Sequence, residues 1–163
     1  MAIATRLRTF RYLAMVAMLT AGILSAPGEA RAAGGYDDDA PTSEYSLARK
    51  ALDDGDYDVA INKLARLHEK DPDDADVLNL LGYGYRKSGD FDQARGYYLQ
   101  ALAVDPKHRG ANEYIGELYL ETGQLDKAEE RLAVLDDDCW LGCEEYTDLE
   151  ESIEEYKTGK GIQ

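Results

Sequence analysis

A set of residues recurring every 34 positions constrains this chain more than any other feature. Gly55, Gly89 and Gly123 keep that spacing, as do Ala60, Ala94 and Ala128, and the small residues Ala48, Gly82 and Gly116. Large apolar residues hold the same register: Leu47, Leu81 and Ile115; Tyr57, Phe91 and Leu125; Leu64, Tyr98 and Leu132. Pro72 and Pro106 repeat as well, with Trp140 in the next place. So many series sharing one period mark a stacked repeat, in which each unit buries its apolar face only against its neighbours.

Within a unit the residue types call for two amphipathic helices, for example over residues 75–87 and 91–104, with apolar side chains at three- and four-residue spacing. In Asp54-Gly55-Asp56, Ser88-Gly89-Asp90 and Thr122-Gly123-Gln124 the glycine stands where the first helix must end in a left-handed conformation. Asp56 and Asp90 are then placed to cap the second helix, with Gln124 a weaker cap. Gly in mid-helix costs about 1 kcal/mol. Gly82 and Gly116 are therefore expected at close approaches, facing Ala94 and Ala128 of the partner helix. Pro72 and Pro106 end the second helices.

The middle unit, with Leu81, Gly82, Tyr85, Phe91, Ala94, Tyr98, Ala101 and Pro106, resembles the tetratricopeptide repeat, with Leu78 where that family often has Trp. The first unit keeps Leu47, Ala48, Gly55, Ala60, Leu64 and Pro72 but has Ala51 for an aromatic residue; the third keeps Ile115, Gly116, Tyr119, Gly123, Ala128 and Leu132 and loses the terminal Pro. The resemblance implies an all-α fold, a right-handed helix-turn-helix solenoid of three repeats at about 41–74, 75–108 and 109–142, within a domain over 42–157. Tyr146, Leu149, Ile153 and Tyr156 then mark a helix over 144–157 with one buried face and a glutamate-rich outer face, as a solenoid requires to cover its last core. Residues 158–163 read as a disordered tail.

Arg6, Arg8 and Arg11, an apolar run from Tyr12 to Leu24, and small residues ending in Ala30, Arg31 and Ala32 have the parts of a secretory signal peptide over 1–32. The run is short for a bilayer span, so the mature chain is expected in the periplasm, or secreted, with no remaining membrane span. Removing that segment takes away four Arg and one Glu, leaving a chain more acidic than the −15 of the whole. Residues 33–41, with Asp37, Asp38 and Asp39, read as a disordered lead-in.

The acidity argues against nucleic acid as a partner. Cys139 and Cys143 are too few for a four-cysteine zinc site, and in an exported chain they most simply form a disulfide that fixes the break before the last helix. The alternative is a thiol-redox or copper-handling protein working through this pair. Asp136, Asp137, Asp138, Glu144 and Glu145 oppose a reactive thiolate, however, and no Met or His lies nearby in sequence to complete a copper site. Asp54, Asp56 and Asp58 do not match a calcium loop, because Ala65 stands where the bidentate Glu belongs. His68 and His108, near the ends of second helices, have no partner at catalytic spacing. Nothing in the sequence calls for a cofactor, a metal site or an enzyme active site.

The resemblance also implies a groove lined by the first helices of successive repeats, holding a protein or peptide. Carried over by repeat position, its residues are Tyr45 and Arg49, then Asn79, Tyr83, Arg86 and Lys87, then Glu113, Tyr114 and Glu117. Arg86 and Lys87 are the cations most suited to an acidic peptide, and the three tyrosines offer stacking area. The arrangement departs from the Lys/Asn/Arg set with which some members of that family hold a C-terminal carboxylate.

Overall fold

The computed structural model describes residues 43–161; the expected signal peptide and lead-in lie outside them. The described residues form seven helices: α1 (Glu44–Asp53), α2 (Tyr57–Lys70), α3 (Ala75–Ser88), α4 (Phe91–Val104), α5 (Arg109–Glu121), α6 (Leu125–Asp138) and α7 (Glu144–Lys160). Helices α1 and α2, α3 and α4, and α5 and α6 pack as hairpins, α2 packs on α3 and α4 on α5 of the next hairpin, and α7 covers both α5 and α6. The result is an all-α solenoid of repeats.

The local signals act as their chemistry dictates. Gly55, Gly89 and Gly123 all have positive φ, at 80°, 88° and 76°, and turn the chain between the helices of each pair. Asp90 accepts a hydrogen bond from the Gln93 amide, whereas Asp56 and Gln124 make no side-chain cap bond. The α3 N-terminus is capped by Asp74, which accepts from the Val77 amide at 2.9 Å.

Ala48, Ala51, Leu52, Ala60, Leu64, Leu67, Val77 and Leu81 form one core cluster, shared by α1, α2 and α3. A second cluster runs from Ala94 and Tyr98 of α4 through Ile115 and Leu118 to Leu149 and Ile153 of α7. Leu81 and Ile115 are fully buried, but Leu47, their repeat equivalent, is 39% exposed. No earlier repeat stands before α1 among the described residues to cover it, and α1 is the shortest of the helices.

The mid-helix glycines make room for side chains. A Cβ on Gly82 would stand 2.5 Å from ring carbons of Tyr98, and one on Gly116 would stand 2.7 Å from the methyl groups of Leu149. The expected facing residues, Ala94 and Ala128, are fully buried, yet the space left by the glycines belongs to Tyr98 and Leu149.

Two further sequence expectations need correction. The tail does not begin at 158, because α7 continues to Lys160 and ends on Gly161 at φ 66°. An apolar stripe stops at its last apolar residue, Tyr156, whereas backbone hydrogen bonds carry the helix to its glycine stop. His108 does not end a second helix, since α4 closes at Val104. It is the N-cap of α5, its Nδ1 accepting from the Ala111 amide at 3.0 Å and its Nε2 lying 3.0 Å from Asp76. As expected, Cys139 and Cys143 form a disulfide, with Cα atoms 5.5 Å apart, and Cys143 is the N-cap of the terminal helix. That bond joins the C-cap of α6 to the N-cap of α7.

Candidate functional site

One face of the solenoid is lined by α1, α3, α5 and α7. Arg49, Leu52 and Asp53 of α1, Leu80 and Tyr83 of α3, and Tyr114 of α5 surround a pocket of about 140 Å³. A larger hollow of about 440 Å³ follows, bounded by Arg86 and Lys87, then Glu117, Leu120 and Glu121, then Ser152, Glu155 and Tyr156. Helical spacing explains the lining: residues three and four apart share a face, and α3 turns Leu80, Tyr83 and Lys87 to the same side.

Aromatic and charged groups interleave along it. The rings of Tyr83 and Tyr114 meet at 5.1 Å, and the Arg86 guanidinium lies 5.7 and 5.6 Å from their centroids. Lys87 places its ammonium 5.4 Å from the Tyr83 centroid while remaining exposed. Arg86 is only 4% exposed and pairs with Glu117 and, at 3.2 Å, with Glu121. Burial works against its charge, and Tyr98 together with the carboxylates of Glu117 and Glu121 outweighs burial, so its pKa sits above the usual value. Its charge is thus spent inside the protein. The exposed cations of this face are Arg49 and Lys87, and the expectation that Arg86 reaches out to a ligand must be narrowed accordingly.

The other groove residues divide by burial. Tyr45, Tyr83, Tyr114 and Glu117 are half-buried, and Asn79 and Glu113 are buried. Asn79 packs its amide nitrogen against Gly110, where a Cβ would stand 2.9 Å away, and its Oδ1 has no hydrogen-bond partner. Burial, followed by the charges of Glu117, Asp148 and Glu145, pushes the Glu113 carboxyl up to about 8. Tyr114 is raised to about 12, chiefly by burial and then by Glu113. Both groups are therefore held neutral near pH 7.

The nine residues expected from repeat position are not the whole lining. Sequence reasoning treated α7 as a cover and missed Ser152, Glu155 and Tyr156. The signal was the repeat itself, because Lys87, Glu121 and Glu155 keep the 34-residue register. At the opposite end of α6, Trp140 and Leu141 are 82% and 80% exposed within the disulfide loop. Among the described residues no group of three or more His, Cys, Asp or Glu is gathered to hold a metal, and no helix is long and apolar enough to cross a membrane.

Stacked helical hairpins closed by a terminal helix define a helical-repeat protein. Two models of one family, the tetratricopeptide repeat, match residues 51–96 and 79–138, together more than half of the chain. The chain belongs to the tetratricopeptide repeat family. No curated protein matches it. Among solved structures it is similar to the type III secretion translocator chaperone SycD of Yersinia enterocolitica, at 25% identity over 73% of this chain and 84% of that one, TM-score 0.63. The structure of SycD with a peptide of the translocator YopD matches at 25% identity, over 72% of this chain and 92% of that one, TM-score 0.62. The Sgt2 repeat domain of Aspergillus fumigatus, at 19% identity over 72% and 77% of the two chains and TM-score 0.63, shares the fold.

Proposed function

We propose that this protein is a non-enzymatic binding scaffold, exported to the periplasm by its N-terminal segment, that holds a segment of a partner protein along the α1/α3/α5/α7 face. The observation that carries the reading is that face itself: an open, elongated lining in which tyrosines alternate with charged groups. Tyrosine supplies broad contact area at low entropic cost, and the flanking charges set orientation. The peptide bound by the similar SycD supports the same use here. The Cys139–Cys143 bond is read as a clamp between α6 and α7. Cys139 is buried, and the neighbouring carboxylates disfavour the thiolate that exchange or copper chemistry needs.

Photocrosslinking inside cells tests this. A photoreactive side chain at Lys87 should yield protein adducts that one at Gln100, on the exposed side of α4, does not. The recovered protein should begin near residue 33. Equal adducts from both positions would remove the groove from the proposal, and retention of residues 1–32 would remove export.

A further inference from the structure

The turn that leads out of a repeat is built three times in this chain, and twice from polar residues. Asp71-Pro72-Asp73-Asp74 joins α2 to α3, and Asp105-Pro106-Lys107-His108 joins α4 to α5. In the same register, α6 is followed by Cys139-Trp140-Leu141-Gly142. The backbone repeats itself there: the His108 amide donates to the Asp105 carbonyl at 3.1 Å, and the Gly142 amide to the Cys139 carbonyl at 2.6 Å. The two residues between are the outer corners of a turn, where Pro and Asp suit the backbone and remain in water. Packing asks for neither Trp nor Leu at these corners. Trp140 is 82% exposed and Leu141 80%, and neither lines the two pockets of the groove face.

A single exposed apolar residue is ordinary, whereas adjacent large ones form a patch of the kind that marks a contact site. The disulfide closes this turn from Cys139 to Cys143, so both side chains are held in place before any partner arrives and docking orders little that is loose. Carboxylates ring the patch. Asp136 and Asp137 end α6 and Glu144 opens α7, all three exposed. Lys107 and Arg109, from the preceding turn, are both drawn to Asp138, at 3.4 and 2.8 Å.

We propose that Trp140 and Leu141 form a second docking surface, an apolar plug that enters an apolar pocket rimmed by Lys and Arg on a partner protein. This goes beyond the groove and does not depend on it. The charge of the rim selects the occupant. A second copy meeting loop to loop would bring two acidic rims together, and the net charge of −15 works against association of copies in any arrangement. Anionic headgroups of a bilayer would repel the same rim. A pocket with basic edges takes up the apolar tip and pairs its carboxylates. That is the usual form of an interface anchor, a Trp at the centre with polar groups around it that exclude water.

A photoreactive side chain in place of Leu141, in cells that make the protein, should form an adduct with such a partner, which is then purified as the probe. Trp140 is the sole tryptophan of the chain, and 5-hydroxytryptophan at that position can be excited apart from the tryptophans of the probe. Its emission should move to shorter wavelength as the probe is added to the full chain. Trp140→Ala should weaken binding about thirtyfold, a loss typical of an interface hot spot. Asp136→Asn, Asp137→Asn and Glu144→Gln together should slow association about tenfold at low salt and flatten its salt dependence, while Glu130→Gln, elsewhere on α6, should change neither. All of these positions are exposed, so the thermal melt should stay that of the parent. Binding that survives Trp140→Ala, or association by the parent that ignores salt, would overturn the plug. Adducts from Lys87 with none from Leu141 would overturn it and leave the groove standing, and the reverse would remove the groove and keep the plug. An emission shift on vesicles of phosphatidylcholine, with or without phosphatidylglycerol, would assign the loop to a lipid surface instead. Dimers in sedimentation that Trp140→Ala abolishes would assign it to a second copy.

Discussion

Gly82 and Gly96 have the same covalent structure and opposite roles. Both lie inside helices, where Gly is worth about 1 kcal/mol less than Ala. A methyl group on Gly96 would meet nothing within 4 Å, whereas one on Gly82 would press to 2.5 Å on the ring of fully buried Tyr98. That ring is fully buried, and overpacking against a buried ring costs about 1–3 kcal/mol. Gly96→Ala is therefore expected to raise the unfolding free energy by about 0.5–1 kcal/mol, and Gly82→Ala to lower it by about 1–2 kcal/mol after the propensity gain is subtracted. Urea denaturation of the two variants measures both, and an equal gain from each would mean that Gly82 has no packing role. Residues of this kind were partly legible. A small residue recurring every 34 positions announced a close approach, and the glycine turns followed from the left-handed stop that each hairpin needs. The fate of Arg86 did not follow, because its two carboxylate partners lie a whole repeat away, at Glu117 and Glu121. Glu113 was equally hidden: a buried Glu and a solvated Glu are the same letter, and only the packing of α7 over α5 separates them.

The helices were easier to place than their ends were to join. The apolar spacing put the middle pair at 75–87 and 91–104, against the observed Ala75–Ser88 and Phe91–Val104, because a two-helix unit leaves the register little freedom. The junction between α6 and α7 depends on something else. Cys139 is the C-cap of α6, its amide donating to the Leu135 carbonyl, and Cys143 is the N-cap of α7 with no side-chain cap bond. Its side chain is committed to the disulfide, and Gly142 at φ 86° lets the chain reverse between the two. A loop this small restricts the unfolded chain by about 2 kcal/mol. Replacing both cysteines by Ser should lower the unfolding free energy by about that amount, and amide exchange should accelerate first across residues 136–148. Exchange that quickens uniformly over all seven helices would instead show that the bond braces the repeats as a whole.

Stacking units one after another ties the stability of the whole molecule to the contacts between them. The first core cluster belongs to α1, α2 and α3, the second to α4 through α7, and Tyr85 packs against both. Its ring stacks on Tyr97 with centroids 5.4 Å apart and planes 6° from parallel, and Tyr97 reaches the small cluster of Leu78, Ala101 and Ala111. Neither ring is fully buried, but their position at the seam gives them leverage that burial alone would not. Truncating Tyr85 to Ala removes part of the apolar contact on both sides and the aromatic pairing, together about 2 kcal/mol. The loss should fall on the coupling between the clusters and less on either cluster alone. A repeat array whose coupling weakens no longer unfolds as one unit. The α1–α2 hairpin, with Leu47 uncovered at its outer side, should then open before α5, α6 and α7. Native-state hydrogen exchange of Tyr85→Ala is expected to show the amides of α1 and α2 losing protection while those of α5 and α6 retain theirs, and the urea transition should broaden or divide. An equal loss of protection in all helices would mean that Tyr85 stabilises a single core and that the division between the clusters has no energetic consequence.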